Sequence, residues 1–153
     1  MAHNLGTQQL TTPIHCPSFM RSSAANYLHS TLTHQIIGAF YDVYNALGAG
    51  FRKIVYERAL TIALGDRKLH VNAQVPVSVW FRGRRVGHFR ADLIVERVVL
   101  VELKALPALM PAHEAQVLNA LRATGLTIGL LLNFGSKPEV KRLIQSHGSH
   151  RSR

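Results

Sequence analysis

The sequence predicts a single α/β domain, and three observations carry that expectation. Apolar residues recur at helical spacing over residues 32–47, which marks an amphipathic helix. After Lys68 the pattern changes to strand spacing, in several short segments up to Ala105. A further helical stretch then precedes a near-continuous apolar run, Leu126 to Phe134, of the kind found in strands covered on both faces. At 153 residues the chain is long enough for one domain with a real core and too short for two comfortable ones. Its 47% apolar and 17% charged content is that of a globular protein.

Residues 1–30 carry Ser, Thr, Asn, His and two prolines without sustained periodicity, and they read as a loosely ordered N-terminal extension. They lack a basic start followed by a clean apolar run, so no secretory signal is expected. In the first helix Leu32, Ile36, Phe40, Val43, Tyr44 and Leu47 share a face, with Thr31 or Thr33 as its cap, and Gly48 and Gly50 break it. A second helix is expected from about Arg52 to Leu64, stopped by Gly65-Asp66. Val71–Val75 and Val77–Phe81 read as strand interrupted by Pro76. The basic turn Arg82-Gly83-Arg84-Arg85 leads to a strand at Val86–Val95, and another follows at Val98–Ala105. Pro107 and Pro111 introduce a helix over about Ala112–Thr124, which Gly125 ends. A short helix from Pro138 to Gln145 is expected to close the domain, and His147–Arg153 reads as a basic tail able to touch phosphates.

Several function classes are excluded. The stretch from Gly125 to Phe134 is about half of what a bilayer span needs, so no membrane partner is expected. Cys16 is the sole cysteine, which rules out an intramolecular disulfide and a thiolate zinc cluster; a reducing, cytoplasmic setting fits best. The nine histidines form no ligand spacing; His113 reads as a helix-start residue, and His147 and His150 fall in the tail. No Gly-rich phosphate loop, Ser-His-Asp arrangement or dinucleotide fingerprint is present. The net charge of +10 favours phosphate-bearing partners. Over residues 31–136 twelve Lys/Arg oppose seven Asp/Glu, a moderately basic core that fits a nucleic-acid surface without requiring one.

Three charged residues interrupt the most apolar strands: Asp92 in Ala91-Asp92-Leu93-Ile94-Val95, and Glu102 with Lys104 in Val101-Glu102-Leu103-Lys104. Glu102 and Lys104 are two apart and share a strand face. A two-residue turn at 96–97 would pair Asp92 with Val101 and set the acids on opposite faces. A three-residue turn at 96–98 would pair Asp92 with Glu102, and a functional site predicts this second register. Two carboxylates and an ammonium together suit hard-cation chemistry. Asp92, Glu102 and the Leu103 carbonyl would hold Mg²⁺ or Mn²⁺, and Lys104 would steady a hydroxide and the developing negative charge. The simpler account is an exposed strand face with a weak ion pair. Trp80 and Phe81 beside Arg82, Arg84, Arg85 and Arg90 form an aromatic-basic cluster that suits stacked bases and phosphates, or else a core strand with a charged hairpin tip.

Gly48-Ala49-Gly50-Phe51, Val55-Tyr56-Glu57-Arg58-Ala59-Leu60, Gln74-Val75-Pro76-Val77, Arg90-Ala91-Asp92-Leu93, Val101-Glu102-Leu103-Lys104-Ala105, His113-Glu114-Ala115-Gln116 and Ala123-Thr124-Gly125-Leu126 follow one another in the chain. Over about residues 32–135 this series resembles the GxxExxY proteins, small bacterial proteins of the PD-(D/E)xK nuclease-like superfamily. The resemblance implies one restriction-endonuclease-like domain over residues 31–146, a mixed four- to five-stranded sheet flanked by helices. It also implies Asp92, Glu102 and Lys104 as the catalytic motif, with Gln116 assisting the metal site. Two residues depart from the family pattern. Lys53 stands where the family's glutamate is expected, and Glu57, four residues on and on the same helical face, is a candidate substitute. Ala120 stands where an aromatic usually follows the glutamine.

The expected function is therefore a metal-dependent nuclease that hydrolyses phosphodiester bonds in DNA or RNA with Mg²⁺ or Mn²⁺. The alternative is a catalytically weakened protein of the same fold that binds nucleic acid or a protein partner without cleavage. A third reading is an assembly protein that forms a homodimer through an apolar face.

Overall fold

A computed structural model describes residues 29–146. Nearly all of the expected N-terminal extension, with Cys16, and the whole basic tail over 147–153 lie outside the described residues. Helices α1 (Ser30–Leu47) and α2 (Lys53–Asp66) come first, followed by strands β1 (Val71–Phe81), β2 (Arg84–Val95) and β3 (Val99–Lys104). Helix α3 (Pro111–Thr124) and strands β4 (Ile128–Phe134) and β5 (Pro138–Ile144) complete the order. The strands form one sheet in the order β1-β2-β3-β4-β5, with β3 and β4 parallel and the other pairs antiparallel. This is the α/β fold the sequence predicts, with five strands and three helices among the described residues. None of those helices is long and apolar enough to cross a membrane.

The sheet has a core on each face. On one, α1 and α2 bury Ile36, Phe40, Val43, Tyr56 and Leu60 against Leu93, Val101, Leu103, Leu130 and Leu132. On the other, α3 buries Val117, Ala120 and Leu121 against Val77, Ala91, Leu100 and Leu131. Strand β4 lies between both layers and is buried along its whole length, which accounts for its unbroken apolar run.

The helix ends follow local chemistry. Helix α1 starts one residue before Thr31, so Thr31 and Thr33 lie inside its first turn, with Thr33 buried. Helix α2 runs through Gly65-Asp66 and ends on left-handed Lys68. Leu69 N–H donates to the Leu64 carbonyl and Lys68 N–H to the Gly65 carbonyl, a Schellman closure completed three residues later than the glycine suggests. Pro111 opens α3, where the missing amide proton is harmless, and left-handed Gly125 closes it. His113 Nδ1 accepts the Met110 N–H at 2.9 Å, so this histidine caps the helix.

Two strand expectations are corrected. Pro76 does not interrupt β1: the ladder runs through it, opposite Arg90, on an edge strand, where sheets tolerate proline. Residues 138–144 form β5 instead of a helix. Val140, Leu143 and Ile144 fit helical spacing as readily as strand spacing, but the free edge of β4 supplies backbone partners from Phe134 opposite Pro138 to Ile128 opposite Ile144. Val140 then packs toward the α1/α2 core and Leu143 toward the α3 core, as alternating strand residues must.

Helix α3 seats directly on Gly129 of β4. A Cβ there would lie 2.6 Å from Val117 Cγ1 and 3.3 Å from Leu121 Cδ1. Gly129→Val is expected to destabilise the domain by about 1–3 kcal/mol through overpacking, read as a lowered urea midpoint. An unchanged midpoint would show that α3 does not rest on this glycine.

Candidate active site

The loop before α2 is tied down by a buried tyrosine. Gly48 and Gly50 adopt positive φ (67° and 108°), which their lack of a Cβ permits. Tyr56 Oη donates to the Gly48 carbonyl at 2.6 Å and accepts the Phe51 N–H at 3.1 Å. Its ring stacks on Phe134 with centroids 4.3 Å apart. This fixes the first turn of α2 against the sheet and aims Lys53 and Glu57, one turn apart, at Asp92. Lys53 Nζ reaches Asp92 Oδ1 at 2.7 Å. Glu57 Oε2 accepts from Gln74 Nε2 at 2.9 Å, and the same nitrogen lies 3.5 Å from Asp92 Oδ1.

Asp92 sits where the sheet is irregular. Val75, Val77, Phe89 and Ala91 pack with the α3 core, whereas Leu93 and Val95 pack with the α1/α2 core. Residues 91 and 93 would share a face in a regular strand, so the alternation reverses at Asp92. Opposite it, Gln74 is left-handed (φ 53°), a conformation that costs a non-glycine residue about 1–2 kcal/mol. Pairing between β2 and β3 covers only Leu93–Val95 opposite Val101–Val99. Beyond it Asp92 Oδ2 takes the Leu103 N–H at 2.8 Å, so a carboxylate replaces the next backbone acceptor. In a strand the N–H and C=O of one residue point toward the same neighbour, so the Leu103 carbonyl faces this gap as well.

From Val95 opposite Val99 to Leu93 opposite Val101 the register is the one a three-residue connection produces, but the ladder stops there, so the expected pairing of Asp92 with Glu102 does not form. Val98 N–H closes a turn onto the Val95 carbonyl, Glu96 and Arg97 are both left-handed, and pairing resumes with Val95 opposite Val99. The turn is anchored from outside. Glu96 N–H donates to the His70 carbonyl, and Glu96 Oε1 accepts the His70 N–H.

Glu102 and Lys104 face the α3 side. Lys104 Nζ lies 3.2 Å from Glu102 Oε1 and 2.9 Å from Gln116 Oε1, so the glutamine fixes the ammonium beside the acid. The placement of α3 depends on Asn133, which the sequence did not single out. Its side chain pairs with both backbone groups of Leu106 and with Glu139, while Glu139 also accepts the Leu109 N–H. The loop from β3 to α3 is thereby pinned, and Gln116 arrives opposite Lys104. A lone asparagine at the end of an apolar run was the available signal.

Asp92 is 3% exposed, Glu57 4% and Glu102 6%. Burial first, and the Asp92 charge second, raise the pKa of both Glu57 and Glu102 above the usual carboxylate range. Oxygen-only donors, burial and mutual repulsion are the features a hard cation relieves, so the donor set suits Mg²⁺ or Mn²⁺. Among the described residues, no three His, Cys, Asp or Glu side chains converge closely enough to enclose an ion. Two carboxylates are a usual protein share for Mg²⁺, which keeps several waters. The Lys53 ammonium holds one oxygen of that pair.

Glu102, Gln116 and Ala120 also line a groove of about 900 Å³ between α3 and the β1–β2 hairpin, bordered by Trp80, Arg90 and Arg122. Of the four arginines in the aromatic-basic cluster, Arg90 lines this groove. Arg82, Arg84 and Arg85 are exposed around the hairpin tip, with Arg82 stacked 5.1 Å from the Phe81 ring centroid.

No curated protein matches the chain. A crystal structure of SSO0001 is similar over 61% of this chain and 50% of that one, with 14% identity and a TM-score of 0.48. This chain thus spans half the length of that protein, and the likeness is too remote to bear on function. The model of the PD-(D/E)XK nuclease superfamily matches residues 30–143, which takes in every element from α1 to nearly the end of β5 and all the acids of the site. The chain belongs to the PD-(D/E)XK nuclease superfamily.

Proposed function

We propose that this domain is a metal-dependent nuclease of the GxxExxY type that hydrolyses phosphodiester bonds in DNA or RNA. The observation that carries the reading is the buried Asp92 and Glu102 at the splayed ends of β2 and β3, with Lys104 held between Glu102 and Gln116 beside an open groove. A bound Mg²⁺ or Mn²⁺ would supply a water of lowered pKa and neutralise charge on the scissile phosphate. Asp92, Glu102 and the Leu103 carbonyl would hold that ion, with Glu57 as a further oxygen donor from α2. Lys104 would donate to the developing negative charge, and Gln116 keeps its ammonium in place. Arg82, Arg84, Arg85 and Arg90 would take the phosphates of the nucleic acid.

The test is a calorimetric titration of Mg²⁺ and Mn²⁺ into the wild type, Asp92→Ala, the isosteric Asp92→Asn and Glu57→Gln, followed by cleavage of mixed DNA and RNA. Saturable binding lost in both Asp92 variants, together with metal-dependent cleavage, supports the reading. A folded wild type that binds no metal sinks it. Unchanged metal affinity in Glu57→Gln removes Glu57 from the ligand set.

One observation favours a second reading. With Lys53 Nζ at 2.7 Å from Asp92 Oδ1, an internal cation already neutralises the acid. A domain of that kind would hold nucleic acid without cutting, with tight, salt-sensitive binding that Mg²⁺ does not alter.

A further inference from the structure

Trp80 is 64% exposed, beside Phe81 at 60%. A large aromatic surface left in water on a strand calls for an explanation that neither core supplies. Its placement is also irregular. The β1–β2 register shifts between Val79 and Trp80, so that Trp80 pairs with Arg85 while Val79 pairs with Gly87, and Val86 is the extra residue. Bulges of this type turn a side chain away from its regular direction. Here the indole borders the groove that Glu102 and Gln116 also line.

The groove has the chemistry of a nucleotide. Arg90 and Arg122 supply positive charge to its lining, Asn119 supplies an amide, and Ala120 adds little bulk. Arg90 spends one donor on the Gln74 carbonyl and Arg122 one on Asn119 Oδ1. Each guanidinium has further donors for a phosphate. About 900 Å³ is ligand-sized, too small for a duplex and ample for one nucleotide. An aromatic platform also needs a free base face, which paired and stacked bases in a duplex do not offer.

We infer that the groove takes an unpaired nucleotide of a single-stranded nucleic acid, its base stacked on Trp80 and its backbone led between Arg90 and Arg122 toward Glu102. This deepens the nuclease reading by naming the substrate as single-stranded, and it rests on that reading for the outcome at the acid end.

Trp80 is the only tryptophan of the chain, so its fluorescence reports on the groove directly. The full-length protein in EDTA is titrated with a single-stranded oligothymidine and with a blunt duplex, while polarisation of the labelled strands gives affinity. Single strands are expected to quench the emission in step with binding, and the duplex to leave it largely unchanged. Trp80→Ala, at an exposed position that the core does not use, is expected to weaken single-strand binding by roughly 5–100-fold and spare the duplex. Unquenched binding, equal quenching by duplex, unchanged affinity in Trp80→Ala, or no single-strand binding at all would each overturn the inference. Quenching without metal-dependent cleavage in a parallel assay overturns the nuclease reading and leaves this one standing. Cleavage unaffected by Trp80→Ala does the reverse.

Discussion

Replacing Lys53 by glutamate is expected to raise affinity for Mg²⁺ or Mn²⁺ by roughly 10- to 1,000-fold, since one opposite or like charge within a few ångströms shifts such equilibria by about one to three powers of ten. The ammonium lies 2.7 Å from Asp92 Oδ1, the carboxylate oxygen that the Leu103 N–H does not take. Its side chain is 41% exposed, so it can swing into solvent when an ion arrives, and solvent screening keeps the effect toward the lower end of that range. Glutamate at this position places a third acid against Asp92 and Glu57 on the side from which α2 approaches. Without metal the variant should therefore be less stable than the wild type, and Mg²⁺ should restore it in a concentration-dependent way. Lys53→Met separates the two effects by removing the competing charge without adding a ligand. Calorimetry and thermal unfolding with and without metal read all three proteins. Equal metal affinity across the series would mean that the ammonium does not compete at Asp92, and the low-activity reading based on it would lose its support.

On the nuclease reading, Glu102→Gln is expected to abolish metal-dependent cleavage, by on the order of 10³-fold or more, and in either case to make the metal-free protein more stable by about 1 kcal/mol at neutral pH. The sign follows from linkage. Burial and the neighbouring Asp92 raise the folded-state pKa of Glu102, while the unfolded chain keeps an ordinary carboxylate. Between the ordinary range and the raised value the native state binds more protons than the unfolded state, so stability falls as pH rises through that window. Above it the cost of the buried charge is present in full. Glutamine removes the charge, and its carbonyl can still accept from Lys104, which now lies 3.2 Å from Glu102 Oε1. Urea unfolding at several pH values should show the wild type gaining stability on acidification through this window and the variant lacking Glu102's share of that gain. Glu57, raised for the same two reasons, leaves a trend of the same sign in both proteins. A variant less stable than the metal-free wild type at neutral pH would mean that Glu102 is held by its partners as a structural charge.

Much of this architecture is written in residues close together in the chain. The helical faces of α1 and α3, the unbroken apolar run of β4 and the acid-x-lysine pair of β3 are all local patterns, because a periodic backbone presents every third or second side chain to the same side. The charges inside such apolar strands also pointed to a site. Asp92, Glu102 and Lys104 stood out as a candidate site for that reason, and the three-residue turn was among the readings, although that turn is held by Glu96 and His70 from a distance and the ladder it starts stops short of an Asp92–Glu102 pair.

Local pattern failed where a distant partner decides. The segment Pro138–Ile144 fits a helix or a strand, and the open edge of β4 makes it a strand. Pro76 looks like a break until β1 is found at the sheet edge, where proline is tolerated. Lys53 was visible as a reversed charge, but its contact with Asp92 spans 39 residues and arises from Tyr56 holding the loop before α2 against Phe134. Left-handed Gln74, the reversal of alternation at Asp92 and the pinning of α3 by Asn133 left no periodic trace. The sequence by itself determined the fold class and which charged residues interrupt the core. Tertiary structure alone decided how those charges pair, because the energy of a buried charge depends on its partners in space, and these come from elements that the chain keeps far apart.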